Sequence, residues 1–414
     1  MPWHRIIFIF IVLFSMKLPA KGLLSSEYGP LIMQGLVYEE YGVYDEARIV
    51  YGKLFDHTGE KDYLFREVTA SILGNVGILR SIDRLNKWDH SHPHDLEVYR
   101  LLIPLYLSSS QINRARSKAE LLLEYSEETK DLELAIRPFL YMGEYDRVLT
   151  LLNTVYKQNF RESILLKMVT IMDLYTNERK EALQLLEMRR RMSNISDAVW
   201  EKILLLYSKE NDTKNLLETY KAFYQERKDL AILDKVVEYY IQEGDISGAI
   251  AFVEAEDSNN VLLYNLYRDK KLFAKAYKIA KDQYKKTKEV HWLAESAIML
   301  FEKSEDKHNK VMIKEVITLF DKALALGVDD SIYLNYYGYT LIDYDIDIDK
   351  GIEIIQNALI QQPNNTYYLD SLAWGYQKKH KCKEAYTLMK RVVDEEGLKI
   401  DEIKRHWATI QSCQ

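Results

Sequence analysis

The chain has 414 residues, with 56 Lys plus Arg against 63 Asp plus Glu for a net charge of −7, and only 7 prolines and 16 glycines. That length exceeds the roughly 250–300 residues at which one hydrophobic core stops growing, so a single compact core is excluded in favour of several domains or an extended repeat. Basic residues interleaved with acids exclude a nucleic-acid groove, which needs clustered Lys and Arg, and the scarcity of Pro and Gly argues for helices over sheets.

Residues 1–20 place Arg5 before an apolar run from Ile6 to Phe14, followed by a short polar stretch ending at Ala20. This order reads as a secretory signal peptide cut after Ala20, although Leu18 is larger than the residue usual at the third position before a cut. An uncleaved anchor is the alternative; against it, the apolar run is shorter than the about 20 residues that span a bilayer. The absence of cysteine near the cut argues against a bacterial lipoprotein, and no later segment reads as a transmembrane helix. Removing residues 1–20 would leave 54 basic against 63 acidic residues, a net −9.

From Leu31 a fixed spacing sets in: Gly35 follows four residues on, Tyr38 seven, Ala47 sixteen and Tyr51 twenty, with Gly42 and Tyr44 between the two groups. Apolar residues three, four and seven apart mark one helix face, so each set reads as two helices joined by a turn. Small residues at the fourth and sixteenth positions let the pair approach closely, and large ones fill the space between pairs. A weaker set starts at Phe65.

Next comes WDHSHPHDLE, residues 88–97, where His90, His92 and His94 with Asp89 and Asp95 offer nitrogen and oxygen ligands of the kind that hold zinc or nickel. Pro93, however, stands six residues before the following mark, Tyr99, at a repeat boundary. The stretch therefore reads as a solvated loop between repeats, and no metal site is assigned.

Tyr99 gives Ile103, Tyr106, Ala115 and Ala119, and Leu132 gives Ile136, Phe139, Val148 and Leu152 with Gly143 at the turn. Trp200 gives Leu204, Tyr207, Leu216 and Tyr220, and Leu233 gives Val237, Tyr240, Ala249 and Val253. Weaker sets begin at Leu166, Asn260 and Trp292, the last with an insertion around KSEDKHNKVMI. Leu334 gives Gly338, Leu341 and, one residue late, Gly351, Ile355 and Ala358; Leu369 gives Ala373, Tyr376, Ala385 and Met389, with Pro363 six residues ahead of it. The acidic run at residues 343–351 lies at the turn of the Leu334 set. A calcium loop needs Gly at its sixth and Glu at its twelfth position, but starts at Asp343 or Asp345 put Ile348 and Ile354, or Lys350 and Gln356, there, so the run reads as a plain turn.

The marks lie close to 34 residues apart, and two helices per unit at that period resemble the tetratricopeptide repeat, which favours Pro just after the second helix. The last two sets, opening LNYYGYTL and YLDSLAWGY, resemble the final repeats of a group of bacterial envelope tetratricopeptide proteins. They differ in having Lys350-Gly351 where that group has Glu-Ala and Ala373 where it has Gly. The expected architecture is all-α, a right-handed α-solenoid of about eleven tetratricopeptide-like hairpins. It should be degenerate over 21–330 and well matched over 331–395, with a capping helix over 396–414.

The resemblance implies an exported interaction protein and brings no catalytic residue, cofactor or metal with it. Walker, dinucleotide-glycine, zinc-protease and Gly-x-Ser-x-Gly patterns are missing from the sequence, which points away from an enzyme. Cys382 opens the last second helix, expected to run to about Asp394. Because two antiparallel helices of similar length return to their starting level, Cys413 at the end of the capping helix should land near it. In an oxidising compartment that expects a disulfide; two separate thiols are the alternative. The inner face of such a solenoid is lined by first helices and binds extended peptides or partner helices. Near the C-terminus it should include Asn335, Tyr339, Asp370, Trp374, Gln377 and Lys378, with Tyr339 and Trp374 also readable as packing residues. The reading that follows is a periplasmic scaffold or adaptor for another envelope protein, peripheral to the outer or inner membrane. The alternative is a cell-wall or surface-polysaccharide accessory with glycan in the groove, to which the 31 tyrosines lend weak support.

Overall fold

The computed structural model describes residues 27–192, 194–256 and 259–413, so the expected leader lies outside the described residues. These form twenty-three α-helices and one π-helical turn. Two compact units divide the chain, residues 1–219 and 220–414.

The first unit holds α1 (Gly29–Glu40), α2 (Tyr44–Thr58), α3 (Lys61–Gly74), α4 (Ile78–Ser91), α5 (Leu96–Ser108) and α6 (Ile112–Tyr125). It continues with α7 (Thr129–Met142), α8 (Tyr145–Asn159), α9 (Glu162–Ile171) prolonged by the π-turn Met172–Thr176, α10 (Arg179–Arg190) and α11 (Asp197–Lys209). The division falls within α12 (Thr213–Arg227). The second unit holds α13 (Leu230–Gln242), α14 (Ile246–Glu256), α15 (Asn260–Asp269), α16 (Phe273–Thr287), α17 (His291–Glu302) and α18 (Lys310–Ala325). It ends with α19 (Ser331–Asp343), α20 (Ile348–Gln361), α21 (Thr366–Lys378), α22 (Cys382–Glu396) and α23 (Asp401–Ser412). Taken in order they make eleven hairpins with α23 as a single closing helix, so the fold is an all-α repeat of the solenoid type.

One backbone feature makes ten of the eleven hairpins, all but α17–α18. Eleven residues after the mark the chain enters the left-handed region: Gly42, Ser110, Gly143, Asn177, Asn211, Gly244, Lys271, Asp345 and His380 have φ between 51 and 75°. A left-handed residue after a helix C-terminus lets the following N–H groups bond back to the last carbonyls, which stops the helix and reverses the chain. In α3 the residue is Asn75, at φ 51°. Its register therefore starts at Leu64 and not at Phe65, and Leu64, Val68 and Ser71 are fully buried. Starts are set by side-chain caps: Asp95, Asp229, Asn309, Asp330, Asp347 and Asn365 each accept a backbone N–H two or three residues on.

Close approach inside the hairpins comes from the small residues. Ala47, Ala115, Ala249, Ala276 and Ala385, each sixteen after its mark, are fully buried. In the α19–α20 hairpin both contact positions are Gly. A Cβ on Gly338 would stand 2.8 Å from the Gly351 carbonyl oxygen, and a Cβ on Gly351 would stand 2.7 Å from that of Gly338. Larger side chains fill the gaps between pairs, Tyr99, Phe139 and Leu152 in the first unit and Phe320, Tyr337 and Leu341 in the second. Ion pairs tie neighbouring hairpins: Arg100 Nε and Nη2 donate to the two oxygens of Asp131, both at 2.7 Å, and Lys378 Nζ lies 2.8 Å from Asp345.

Two stretches differ from expectation. Residues 88–91 of the His-rich stretch are the last turn of α4, so the loop is only 92–95. His92 stacks on Trp88 with ring centroids 4.1 Å apart, His94 packs on Tyr125, and Asp95 caps α5 and pairs with Lys61. Among the described residues no group of three or more His, Cys, Asp or Glu is placed to hold a metal ion. The segment after α22 is also shorter in helix than expected: α22 runs to Glu396, residues 397–400 turn, and α23 occupies Asp401–Ser412. No described helix is long and apolar enough to cross a membrane.

Candidate partner-binding face

The six expected inward residues lie on α19 and α21, and four of them meet partners within the second unit. Asp370, nearly buried on α21, accepts from His406 Nδ1 at 2.9 and 3.1 Å. His406 is fully buried on α23 and its ring stacks on Trp374, centroids 4.3 Å apart at 15°. Trp374 Nε1 in turn donates to Asp343 Oδ1 at 3.0 Å. Lys378 Nζ sits 5.5 Å over the Trp374 ring while pairing with Asp345. On α19 the Tyr339 hydroxyl bonds the Glu402 carboxylate, with Arg405 Nη2 at 3.4 Å and His406 Nε2 at 3.5 Å. Gln377 is half-buried, and Asn335 Oδ1 is buried without a hydrogen-bond donor.

The first-helix face of the last hairpins is thus joined to the chain's own closing helix. Ile403 and Ile410 of α23 pack with Leu369, Ala373, Ala385 and Met389, and Trp407 stacks on Tyr386. Cys382 and Cys413 have their Cα atoms 5.5 Å apart and are joined in a disulfide that ties α23 to the start of α22. Glu402, Arg405 and His406 were not among the candidates, although the signal for them exists. Ile403 stands 34 residues after Leu369, so α23 continues the repeat register as one more first helix.

The electrostatics suit hydrogen bonding. Burial, then the bond to Glu402 and the charges of Asp343 and Glu402, push the Tyr339 phenol well above its ordinary value, with Arg405 pulling the other way. A phenol so placed stays protonated and donates. Tyr336 is pushed up in the same way, by burial and then by Glu302, to which it donates at 3.0 Å. Elsewhere the Glu67 carboxyl of α3 is pushed up by burial to about 7, Arg80 and Arg48 opposing. It bonds Arg84 of α4 and lies against Gly52, a packed position between hairpins.

No protein-family model matches the sequence, and no curated protein matches it. Among solved structures, the chain is similar to one titled as Naa15/Naa10 bound to HypK-THB, at 11% identity over 93% of this chain and 66% of that one, with a TM-score of 0.39. The yeast Tom70 structure is similar at 12% identity over 93% and 95% of the two chains, with a TM-score of 0.35. A tetratricopeptide protein of Thermus thermophilus, TTC0263, is similar at 14% identity over 42% and 95%, with a TM-score of 0.33. These likenesses concern the fold alone. The chain's own 34-residue period, its left-handed turn at a fixed offset and its small-residue contacts make its fold a repeat of helical hairpins similar to the tetratricopeptide repeat.

Proposed function

We propose that the protein is a non-enzymatic, exported scaffold whose first-helix faces bind a segment of another envelope protein. One observation carries this: at the C-terminal hairpins that face holds a helix in cis, through Tyr339 on Glu402, Asp370 on His406 and Trp374 stacked on the same ring. A surface with polar donors and aromatic area in register binds helices or extended segments by the same chemistry in trans. The periplasmic setting is supported by the leader-like residues 1–20 and by two cysteines at bridging distance, an arrangement that persists in oxidising compartments.

A photoreactive residue at Gln377 or Tyr141 on first helices, and at Arg391 on a second helix, tests this in intact cells with mass spectrometry of the captured species. The expected result is one envelope protein captured from the first-helix positions and not from Arg391. Equal capture from all three positions, or retention of the purified protein on peptidoglycan with no protein captured, sinks the scaffold reading. Thiol trapping of Cys382 and Cys413 in fractionated cells checks the compartment, the expected state being oxidised.

A further inference from the structure

We infer that the first-helix face of the first unit, from α7 to α11, docks an extended peptide segment in which apolar anchors alternate with carboxylates. This deepens the scaffold reading and rests on it. Leu140-Tyr141 at the end of α7 recur one 34-residue period later as Leu174-Tyr175 in the π-turn. All four side chains are exposed, Tyr141 by 68% and Leu174 and Tyr175 by 55% each; one period further on the positions are Ser208 and Lys209, with Leu205 of α11, 46% exposed, one turn before them. The corresponding second-unit positions are Gln377 and Lys378, half-buried and polar. Apolar side chains repeated at one register position across neighbouring hairpins form a patch of the kind that marks an interaction site. Tyr175 is also held ready, its ring stacked on Tyr145 of α8 at 4.4 Å and 16°, which lowers the ordering cost of binding.

Charge specifies the occupant. Beside Leu174 and Tyr175 lies Asp173, whose buried carboxylate is met by three cations, Lys209 Nζ at 2.5 Å, Arg179 Nε at 2.8 Å and Lys202 Nζ at 3.8 Å. Glu210 takes a share of Arg179 at 2.6 Å, which leaves the two lysines of α11 with half a partner each at most. Arg137 of α7 and Lys167 of α9 are exposed and have no carboxylate within ion-pair distance among the described residues. The exposed acids of α11 are Glu201 and Asp197, the latter at the far end of the helix from Lys209. Around Leu174 and Tyr175 the acids Asp173, Glu178 and Glu210 stand against Arg179, Lys202 and Lys209, so in this chain of net charge −7 it is Arg137 and Lys167 that give the face its positive surplus. Neighbouring packed helices lie about 10 Å apart, which an extended chain covers in about three residues at 3.3 Å each. The matching segment has a Leu, Phe or Tyr about every third position and Asp or Glu between them, reaching Lys202, Lys209, Arg137 and Lys167.

The test is selection of phage-displayed random dodecapeptides on the purified protein, followed by titration of the strongest as a synthetic peptide. Enrichment of Asp or Glu with Leu, Phe or Tyr is expected. So is a loss of affinity of tenfold or more with Arg137→Glu plus Lys167→Glu, and with Tyr175→Ala, while far-UV circular dichroism is unchanged. Winners lacking acids, no winner, or affinity indifferent to these substitutions would overturn the inference. If affinity instead falls with Gln377→Glu plus Lys378→Glu, docking belongs to the C-terminal hairpins: the scaffold reading then stands and this inference does not.

Discussion

Asp131 shows how one residue can hold two hairpins together. Its side chain is 1% exposed, bonded through both oxygens to Arg100 of the preceding hairpin and also to the Ser126 hydroxyl at 2.5 Å. Burial pushes the carboxyl up, and the Arg100 and Ser126 bonds outweigh it, so the net displacement is downward. A carboxyl depressed in the folded state stabilises above its unfolded value, about 3.9, and loses that contribution as pH falls through the folded value. Arg100→Ala leaves a buried charge unmatched and should cost about 3–5 kcal/mol near pH 6. Urea midpoints measured from pH 6 to pH 3 should show the deficit shrinking as Asp131 takes up its proton. A deficit that stays constant over that range would mean the pair is not what holds the hairpins. None of this was legible in sequence, because the partners lie 31 residues apart at positions the apolar register leaves open. The groove residues were legible as positions but not as contacts. Asp370 and Trp374 stand where the register puts them, whereas their engagement with His406 depends on where the closing helix packs.

At the scale of the element, the α19–α20 hairpin depends on two hydrogens. Gly338 and Gly351 each face the other's carbonyl oxygen, and a methyl on Gly338 would also stand 2.6 Å from Ile355 Cγ1. Gly338→Ala should therefore destabilise by about 1–3 kcal/mol, the usual cost of overpacking, despite alanine's better helix propensity. Far-UV circular dichroism melts of the two proteins measure this; an unchanged or raised midpoint would show that the helices part freely. The helices themselves were readable because apolar spacing is local information. Their turns were readable where Gly42, Gly143 and the acidic run at 343–351 stand. Lys271 and His380 adopt the same left-handed conformation at φ 57 and 58°, and nothing in their chemistry announces it. The chain accepts that conformation there because the packing of the two helices determines the turn, which is also why the Phe65 register slipped by one residue.

For the whole molecule, the two compact units and the single closing helix matter most. In a repeat array each hairpin leans on its neighbours, so the ends set where unfolding begins. The Cys382–Cys413 link closes a loop with a sequence separation of 31 residues. By chain entropy a loop of that size is worth about 3–4 kcal/mol. Reduction with a dithiol should raise hydrogen exchange through α23 and then α21 and α22, leaving α1 to α11 as protected as before. Uniform loosening of both units would contradict an end-localised role, and unchanged exchange at α23 would show that packing of Ile403, His406 and Ile410 suffices without the link. Period, hairpin number and the closing helix could be read from the sequence, since a 34-residue spacing repeats too often to be accidental. The division near residue 219 could not, because no change of composition accompanies it.

The position of the two cysteines also bears on how such a chain changes length over generations. One lies at the start of α22 and the other just after α23. Duplication or loss of a whole 34-residue segment upstream of Cys382 leaves their separation and their surroundings untouched. The array can be lengthened or shortened in whole units while the bridged α22–α23 segment is inherited intact, whereas insertion of a whole unit between the cysteines would separate the two helices that the link joins.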